Sequence, residues 1–336
     1  MGGIEGTGMD PKGVHASFEP SYVRLHRQGE LQERVERARE ILSSCTLCPH
    51  CCRVNRLESE HGWCRAGERA VVSSYGPHFG EEPPLVGRYG SGTIFLAYCT
   101  MRCEYCQNYE ISQLGRGIEV SCEDLSHIML RLQDQGCHNI NFVTPTHFVP
   151  QILEATAHAA GEGLAIPLVY NTGGYDRVET LRLLEGVVDI YMPDAKYGCD
   201  EVARALSHVV GYVEAMQASL VEMHRQVGDL AIVGGLATRG LLIRHLVLPE
   251  NLANSELVMR FIAREVSKDS YVNIMAQYRP MGNILRTGGE GHPLRARLTR
   301  AITDDEYRYA LECAVGEGLH RGFIPPPSNV STHEHP

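Results

Sequence analysis

From residue 92 onward, short apolar runs rich in β-branched and aromatic residues alternate with stretches of helical periodicity, and few folds accept that alternation. The runs at 93–98, 139–143, 168–171, 190–192, 241–248 and 272–277 read as strands. Between the first two, Leu125, Ile128, Met129 and Leu132 trace one face of a helix that Ser121 opens as N-cap and that closes near Gly136. Further helices are expected over 150–162, 177–184, 201–227, 255–266 and 304–315. Strands separated by helices build βα units around a parallel sheet. Six such units predict an α/β protein folded as a partial (βα)6 TIM-like barrel, spanning 91–324. In barrels of this kind the chemistry gathers at the C-terminal ends of the strands. Those ends carry the unusual residues of this chain: Cys99, Thr144 to His147, Asn171 to Gly174, Asp194, Pro249, and Arg279 with Pro280.

Twelve cysteines are the second constraint, and eight of them fall between Cys45 and Cys106. No apolar run reaches the roughly 18 to 20 residues that span a bilayer. The start of the chain has no apolar core of a signal peptide, so a cytoplasmic location is expected. Thiols stay reduced there, and clustered cysteines bind metal more often than they form disulfides. The isolated Cys122, Cys137, Cys199 and Cys313 read as small buried hydrophobes. With 41 acidic and 31 basic residues the net charge is −10, which lacks the basic excess that neutralises nucleic-acid phosphates or an acidic membrane. Neither partner is expected.

Directly after the first barrel strand, Cys99-x3-Cys103-x2-Cys106 sets three thiols within eight residues. Thiolates are the usual ligands of iron–sulfur clusters, and a structural zinc site normally takes four ligands, which this stretch does not offer. Three thiolates on a four-iron cube leave one iron open. Upstream, Cys45-x2-Cys48-x3-Cys52-x11-Cys64 is a four-thiol pattern that suits either zinc or an auxiliary iron–sulfur cluster. Cys51, adjacent to Cys52, is expected to point elsewhere. Residues 19–90 thus read as a helix, with Leu31, Val35, Ala38 and Leu42 at helical spacing, followed by a small cysteine-rich metal module. The Gly-rich 1–18 and the tail 325–336 are expected to be disordered.

The triad, with an aromatic residue before its last cysteine, resembles the signature of the radical SAM superfamily. The surrounding text resembles the subgroup similar to pyruvate formate-lyase activating enzyme, over roughly 45–324. The segments concerned are Gly90-Ser-Gly-Thr-Ile-Phe95, Cys106-Gln-Asn-Tyr-Glu-Ile-Ser112, Asn139-Ile-Asn-Phe-Val-Thr-Pro-Thr-His147, Tyr170-Asn-Thr-Gly-Gly174, Asp189-Ile-Tyr-Met-Pro-Asp194 and Ile243-Arg-His-Leu-Val-Leu-Pro249. The resemblance implies an oxidoreductase whose [4Fe–4S] cluster on Cys99, Cys103 and Cys106 cleaves S-adenosylmethionine (SAM) reductively, giving a 5′-deoxyadenosyl radical that abstracts hydrogen from a substrate. It implies a reduced flavodoxin or ferredoxin-type electron donor as partner. Tyr105 would lie against the adenine edge. Thr144 and Thr146 occupy the place where many relatives hold the SAM amino group with Gly-Gly-Glu, a pattern from which this chain departs. Asn171, Thr172, Gly173, Gly174, Asp194, Lys196 and Arg244 match positions that line the SAM or substrate site.

Two substrate classes stay open, a glycine of a protein partner or a small molecule. A non-enzymatic iron–sulfur electron carrier or scaffold would explain the cysteines but not the strand-end motifs. His147 and His245 fit a proton relay or a structural role equally. Arg295, Arg297 and Arg300 read as a solvated loop face, and 281–293 as a lid loop over the barrel mouth.

Overall fold

Among the described residues nine strands form the sheet: β1 (Ala70–His78), β2 (Ser91–Leu96), β3 (Ile118–Val120), β4 (Ile140–Val143), β5 (Leu168–Thr172), β6 (Ile190–Pro193), β7 (Ala231–Val233), β8 (Leu236–Leu246) and β9 (Tyr271–Met275). Their order is β3-β1-β2-β4-β5-β6-β8-β7, with β9 on β8. The computed structural model describes residues 18–324. The expectations for the two chain ends lie outside them.

The six runs read as strands are β2, β4, β5, β6, β8 and β9, and each pairs with the next in parallel. Typical pairs are Ile94 with Phe142, Phe142 with Tyr170, Asn171 with Met192, and Arg244 with Asn273. This is the open six-stranded barrel that the alternation predicts. Every residue of β5 and β6 is buried, as a parallel sheet covered on both faces requires.

The helices follow the periodicity with two differences. Ser121 and Asp124 form a reciprocal capping box on Cys122–Asp134, and Thr303 with Glu306 forms another on Asp304–Gly316. The stretch 201–227, expected as one helix, is two: Asp200–Ser207 and Tyr212–Val227. His208 and Gly211 take left-handed φ values of 56° and 64° at the break. The turn sends His208 back to Glu104 and lets Tyr212 reach Lys196. The second difference is that Ser255–Phe261 continues into a π-helical turn, Ile262–Val266.

Residues 70–78, inside the stretch read as a metal module, are β1, antiparallel to both β2 and β3. The module therefore does not stand apart from the barrel sheet. Ser74, Gly76 and Pro77 hide the strand from pattern reading. Pro77 is tolerated because β3 pairs only with Ala70, Val71 and Val72, leaving the far end of β1 an edge. The helices Ser21–Gln28 and Glu30–Glu40 then pack Tyr22, Leu25, Leu31, Val35 and Ala38 into the main core. No helix of the described residues is long and apolar enough to cross a membrane.

Candidate active site

The loop leaving β2 carries Cys99, Cys103 and Cys106, and three sets of contacts fix its path. Arg102 N donates to Ser207 O (3.1 Å) and Glu104 N to Leu206 O (2.8 Å), pinning the loop to the end of Asp200–Ser207. Glu104 is buried and holds His208 Nε2 at 2.5 Å and Arg295 Nη2 at 3.1 Å. From the other side Ile284 N donates to Glu104 O (3.1 Å), so the 281–296 segment packs against this loop. It contains two short helices, Gly282–Thr287 and Pro293–Ala296, where a loop alone was expected.

The three thiols sit half-buried on this one loop. Burial pushes all of them up, Cys103 to about 11, and neighbouring thiols add to this at Cys99 and Cys103. Hydrogen bonds nonetheless converge on the sulfurs. Met101 N donates to Cys99 Sγ (3.3 Å), Ser207 Oγ donates to Cys103 Sγ (3.0 Å), and Ser112 Oγ lies 3.1 Å from Cys106 Sγ. Closely packed buried thiols that accept N–H and O–H bonds are poor as neutral groups and good as thiolates on a cationic metal. The donor set fits an iron–sulfur cluster held by three residues.

A cavity of about 390 Å³ runs down the barrel from this loop. Its wall includes Cys103, Tyr105, Cys106, Asn171, Asp194, Lys196 and Arg244, so half of the SAM-contact residues read from sequence come together with two of the three thiols. Four of them form one polar unit. Arg244 Nε donates to Asp194 Oδ1 (2.8 Å), Arg244 Nη2 donates to Asn171 Oδ1 (2.7 Å), and Lys196 Nζ pairs with Asp194 Oδ2. Burial alone would raise the Asp194 carboxyl, but Arg244 and Lys196 hold it below the usual carboxylate range. Lys196 in turn is kept charged, against burial, chiefly by Asp194. Tyr105 is fixed by a chain of hydroxyls: 2.6 Å to Tyr197, 2.7 Å on to Ser207, and so to Cys103.

Other assigned residues stand elsewhere. Thr146 and Thr172 turn away from the cavity. Their hydroxyls donate to the buried Asp176 at 2.7 and 2.6 Å, and Tyr170 joins them at 2.9 Å. A buried carboxylate needs donors, and these are the ones in reach. Thr144 is half-buried in a left-handed turn (φ 62°) with its amide on Asn171 O, outside the cavity lining. Gly173 and Gly174 serve by being small. A Cβ on Gly173 would stand 2.8 Å from Met101 Sδ of the cysteine loop, and one on Gly174 would stand 2.3 Å from Asp194 O. They let the strand ends close up rather than line the site.

Both histidines are structural. His147 Nε2 donates to Ala97 O (2.9 Å), and His245 bridges Ala195 O (2.7 Å) and Ser255 Oγ (2.9 Å). Burial pulls them down to about 3 and about 4, so neither shuttles protons near neutral pH. Arg297 and Arg300 pair with Glu250 and Glu306 on a solvated face, whereas Arg295 pairs with the buried Glu104 and fastens the segment there.

Pattern reading missed the cavity floor. Glu81 lines it, with Glu82 beside it, and both lie 3.9 Å from Arg244 Nη1. They sit in Gly80-Glu-Glu-Pro-Pro84, a stretch without periodicity, and only the approach of β1 to the barrel brings them there.

The model of the radical SAM superfamily matches residues 93–229. An uncharacterised protein of Methanocaldococcus jannaschii is 33% identical over 308 residues, covering 89% of this chain and 82% of that protein. Among solved structures, methylornithine synthase covers 94% of this chain and 85% of its own, with a TM-score of 0.41 and 13% identity. HydG, a maturase of the [FeFe]-hydrogenase, covers 68% of this chain at a TM-score of 0.42 and 12% identity, and the match spans 49% of its own length. With its three-cysteine loop at the mouth of a six-stranded parallel barrel, the chain belongs to the radical SAM superfamily.

Proposed function

We propose that the chain cleaves SAM reductively and uses the resulting radical to abstract a hydrogen atom from a substrate. The observation that supports this most is the single cavity in which two of the three clustered thiols meet Tyr105, Asn171, Asp194, Lys196 and Arg244. When bound, a [4Fe–4S] cluster supplies one electron to the sulfonium, which releases methionine and a 5′-deoxyadenosyl radical. The chain's own residues hold, orient and exclude. Lys196 keeps donors beyond its bond to Asp194 and suits the methionyl carboxylate. Asn171, Asp194 and Arg244 form a wall already ordered by its own hydrogen bonds, so little reorganisation is needed when the ligand binds. Phe95, Val143, Leu246 and Met275 line the same cavity and keep water from a radical.

The motif resemblance adds a glycine of a protein partner as the hydrogen donor in this proposal. Anaerobically reconstituted protein, given SAM and dithionite, should form 5′-deoxyadenosine. Cys99→Ala, Cys103→Ala and Cys106→Ala should each reduce it to background. Full turnover in any one of them sinks the reading.

A further inference from the structure

The loop 45–64 lies outside the site just described, and its thiols are gathered as deliberately. Cys45 N donates to Val54 O (2.9 Å) and Arg53 N to Cys45 O (2.8 Å), which sets Cys45 beside Cys52, and Cys51 N donates to Cys48 O (3.0 Å), which turns the chain back between them. Trp63 N donates to Cys52 Sγ (3.3 Å). Gly62 is required for this fold-back, since a Cβ there would stand 2.8 Å from both Cβ and Sγ of Cys52. Cys51 is excluded. Its φ of 44° turns it out of the group, and its Sγ meets Arg177 Nη1 at 3.5 Å and Cys48 O at 3.6 Å.

A second observation gives the group its charge. Arg56 is 1% exposed, and no carboxylate pairs with it among the described residues. Its bonds go to Gly67 O (3.0 and 2.6 Å) and His147 O (2.7 Å), with Cys45 Sγ 4.0 Å from Nη1. A buried guanidinium demands a counter-charge. Four thiolates on a metal centre provide a net negative one where neutral thiols provide none.

The third observation is location. His50 Nε2 donates to Thr100 O (2.7 Å), His50 stacks on Trp63 with centroids 4.9 Å apart, and Arg102 lies 4.0 Å over the Trp63 ring while donating to Trp63 O (2.6 Å). Trp63 Nε1 is buried without a partner among the described residues. Thr100 and Arg102 belong to the loop of the three cysteines. His50, Trp63 and Arg102 thus join the two cysteine loops.

We propose that Cys45, Cys48, Cys52 and Cys64 hold a second iron–sulfur cluster, which passes electrons to the three-cysteine site across the His50–Trp63–Arg102 contact. Zinc would satisfy the charge as well; the contact with the loop of the three cysteines is what favours a centre that can carry an electron. The step moves one electron and no atoms. A one-electron protein reductant of the flavin or iron–sulfur class is oxidised, the second cluster is reduced, and it is reoxidised when the same electron passes to the catalytic cluster. The relay rests on the radical SAM reading, whereas the second cluster does not.

The full chain carrying Cys99→Ala, Cys103→Ala and Cys106→Ala together, reconstituted with iron and sulfide, should keep an iron–sulfur absorption band and a reducible EPR signal. Adding Cys51→Ala should leave both unchanged, and adding Cys64→Ala should remove them. Zinc alone, no metal, or loss on Cys51→Ala overturns the second cluster. For the relay, Trp63→Leu leaves all seven thiols in place. It should slow reduction of the catalytic cluster by a flavodoxin-type protein, followed by rapid-freeze EPR, at least tenfold, while dithionite reduces it as in the parent. An unchanged rate with the protein donor, or an equal loss with dithionite, overturns the relay. Failure of the parent to form 5′-deoxyadenosine while the triple variant holds its cluster would count against the proposed activity and not against the second centre.

Discussion

Two carboxylates in the cavity show how neighbours decide a side chain's state. Asp194 is ionised because two cations enclose it, and most of the unit is shielded, with side-chain exposure of 12% for Asp194 and 17% for Arg244. Asp194→Ala leaves Lys196 buried without its carboxylate and Arg244 with only Glu81 and Glu82 at 3.9 Å, which should cost about 3 to 5 kcal/mol in a urea unfolding titration. The same variant should keep its iron and bind SAM more weakly by roughly 1 to 3 kcal/mol, read by EPR titration. Parent-like stability and SAM affinity would remove Asp194 from the site. Glu81 is the opposite case. Burial pushes its carboxyl up from 4.5 to about 7, Arg244 pulls against this, and Glu82 adds to it. The folded chain therefore holds a proton that the unfolded chain has lost, and the stability this gives disappears as pH rises through about 7. Glu81→Gln, always neutral, should melt higher than the parent at pH 8.5, with the gain fading toward pH 5. A gain independent of pH would remove Glu81 titration as its cause.

Among the elements, the end of β5 and the loop of the three cysteines depend on each other's bulk. Gly174 combines a φ of 76° with a carbonyl 2.3 Å from where a Cβ would stand. Gly174→Ala should cost about 2 kcal/mol from the left-handed backbone alone, and more from displacing Asp194 O. Comparison with Gly163→Ala separates the two, because Gly163 (φ 96°) has nothing within 4 Å of its Cβ position. Equal losses at both glycines would mean that the close approach of β5 to β6 contributes nothing. The break at His208 follows the same logic. An unbroken helix over 201–227 would carry His208 away from Glu104 and Tyr212 away from Lys196, loosening both the cysteine loop and the cavity wall.

Across the whole molecule, the N-terminal segment is built into the barrel rather than appended to it. β1 extends the barrel sheet, Tyr22 OH donates to Ile166 O (2.9 Å), and Arg56 reaches His147 O after β4. Metal bound by the two cysteine loops is then bound by elements that hold the barrel together, and ligation adds to folding free energy. Stripping iron from reconstituted protein should lower its melting temperature by several degrees in calorimetry. An unchanged midpoint would show that both loops are held without metal.

The sequence by itself determined the six parallel strands, because their apolar runs and the helices between them have periods that no other arrangement buries. It also determined the two cysteine groups, whose thiols lie close along the chain, so their spacing survives any choice of tertiary fold. Asn171 and Asp194 were legible because strand ends of a parallel barrel converge whatever the loops do, whereas Lys196 and Arg244 were legible only through the family resemblance. Only the tertiary structure decided that Thr146 and Thr172 serve Asp176 and that Glu81 closes the floor. It alone decided that Arg56 lies buried against thiols and that Trp63 joins the two cysteine loops. Each of these rests on a contact between residues distant in sequence, or on which way a side chain turns at a strand end, and neither leaves a period in the chain to read.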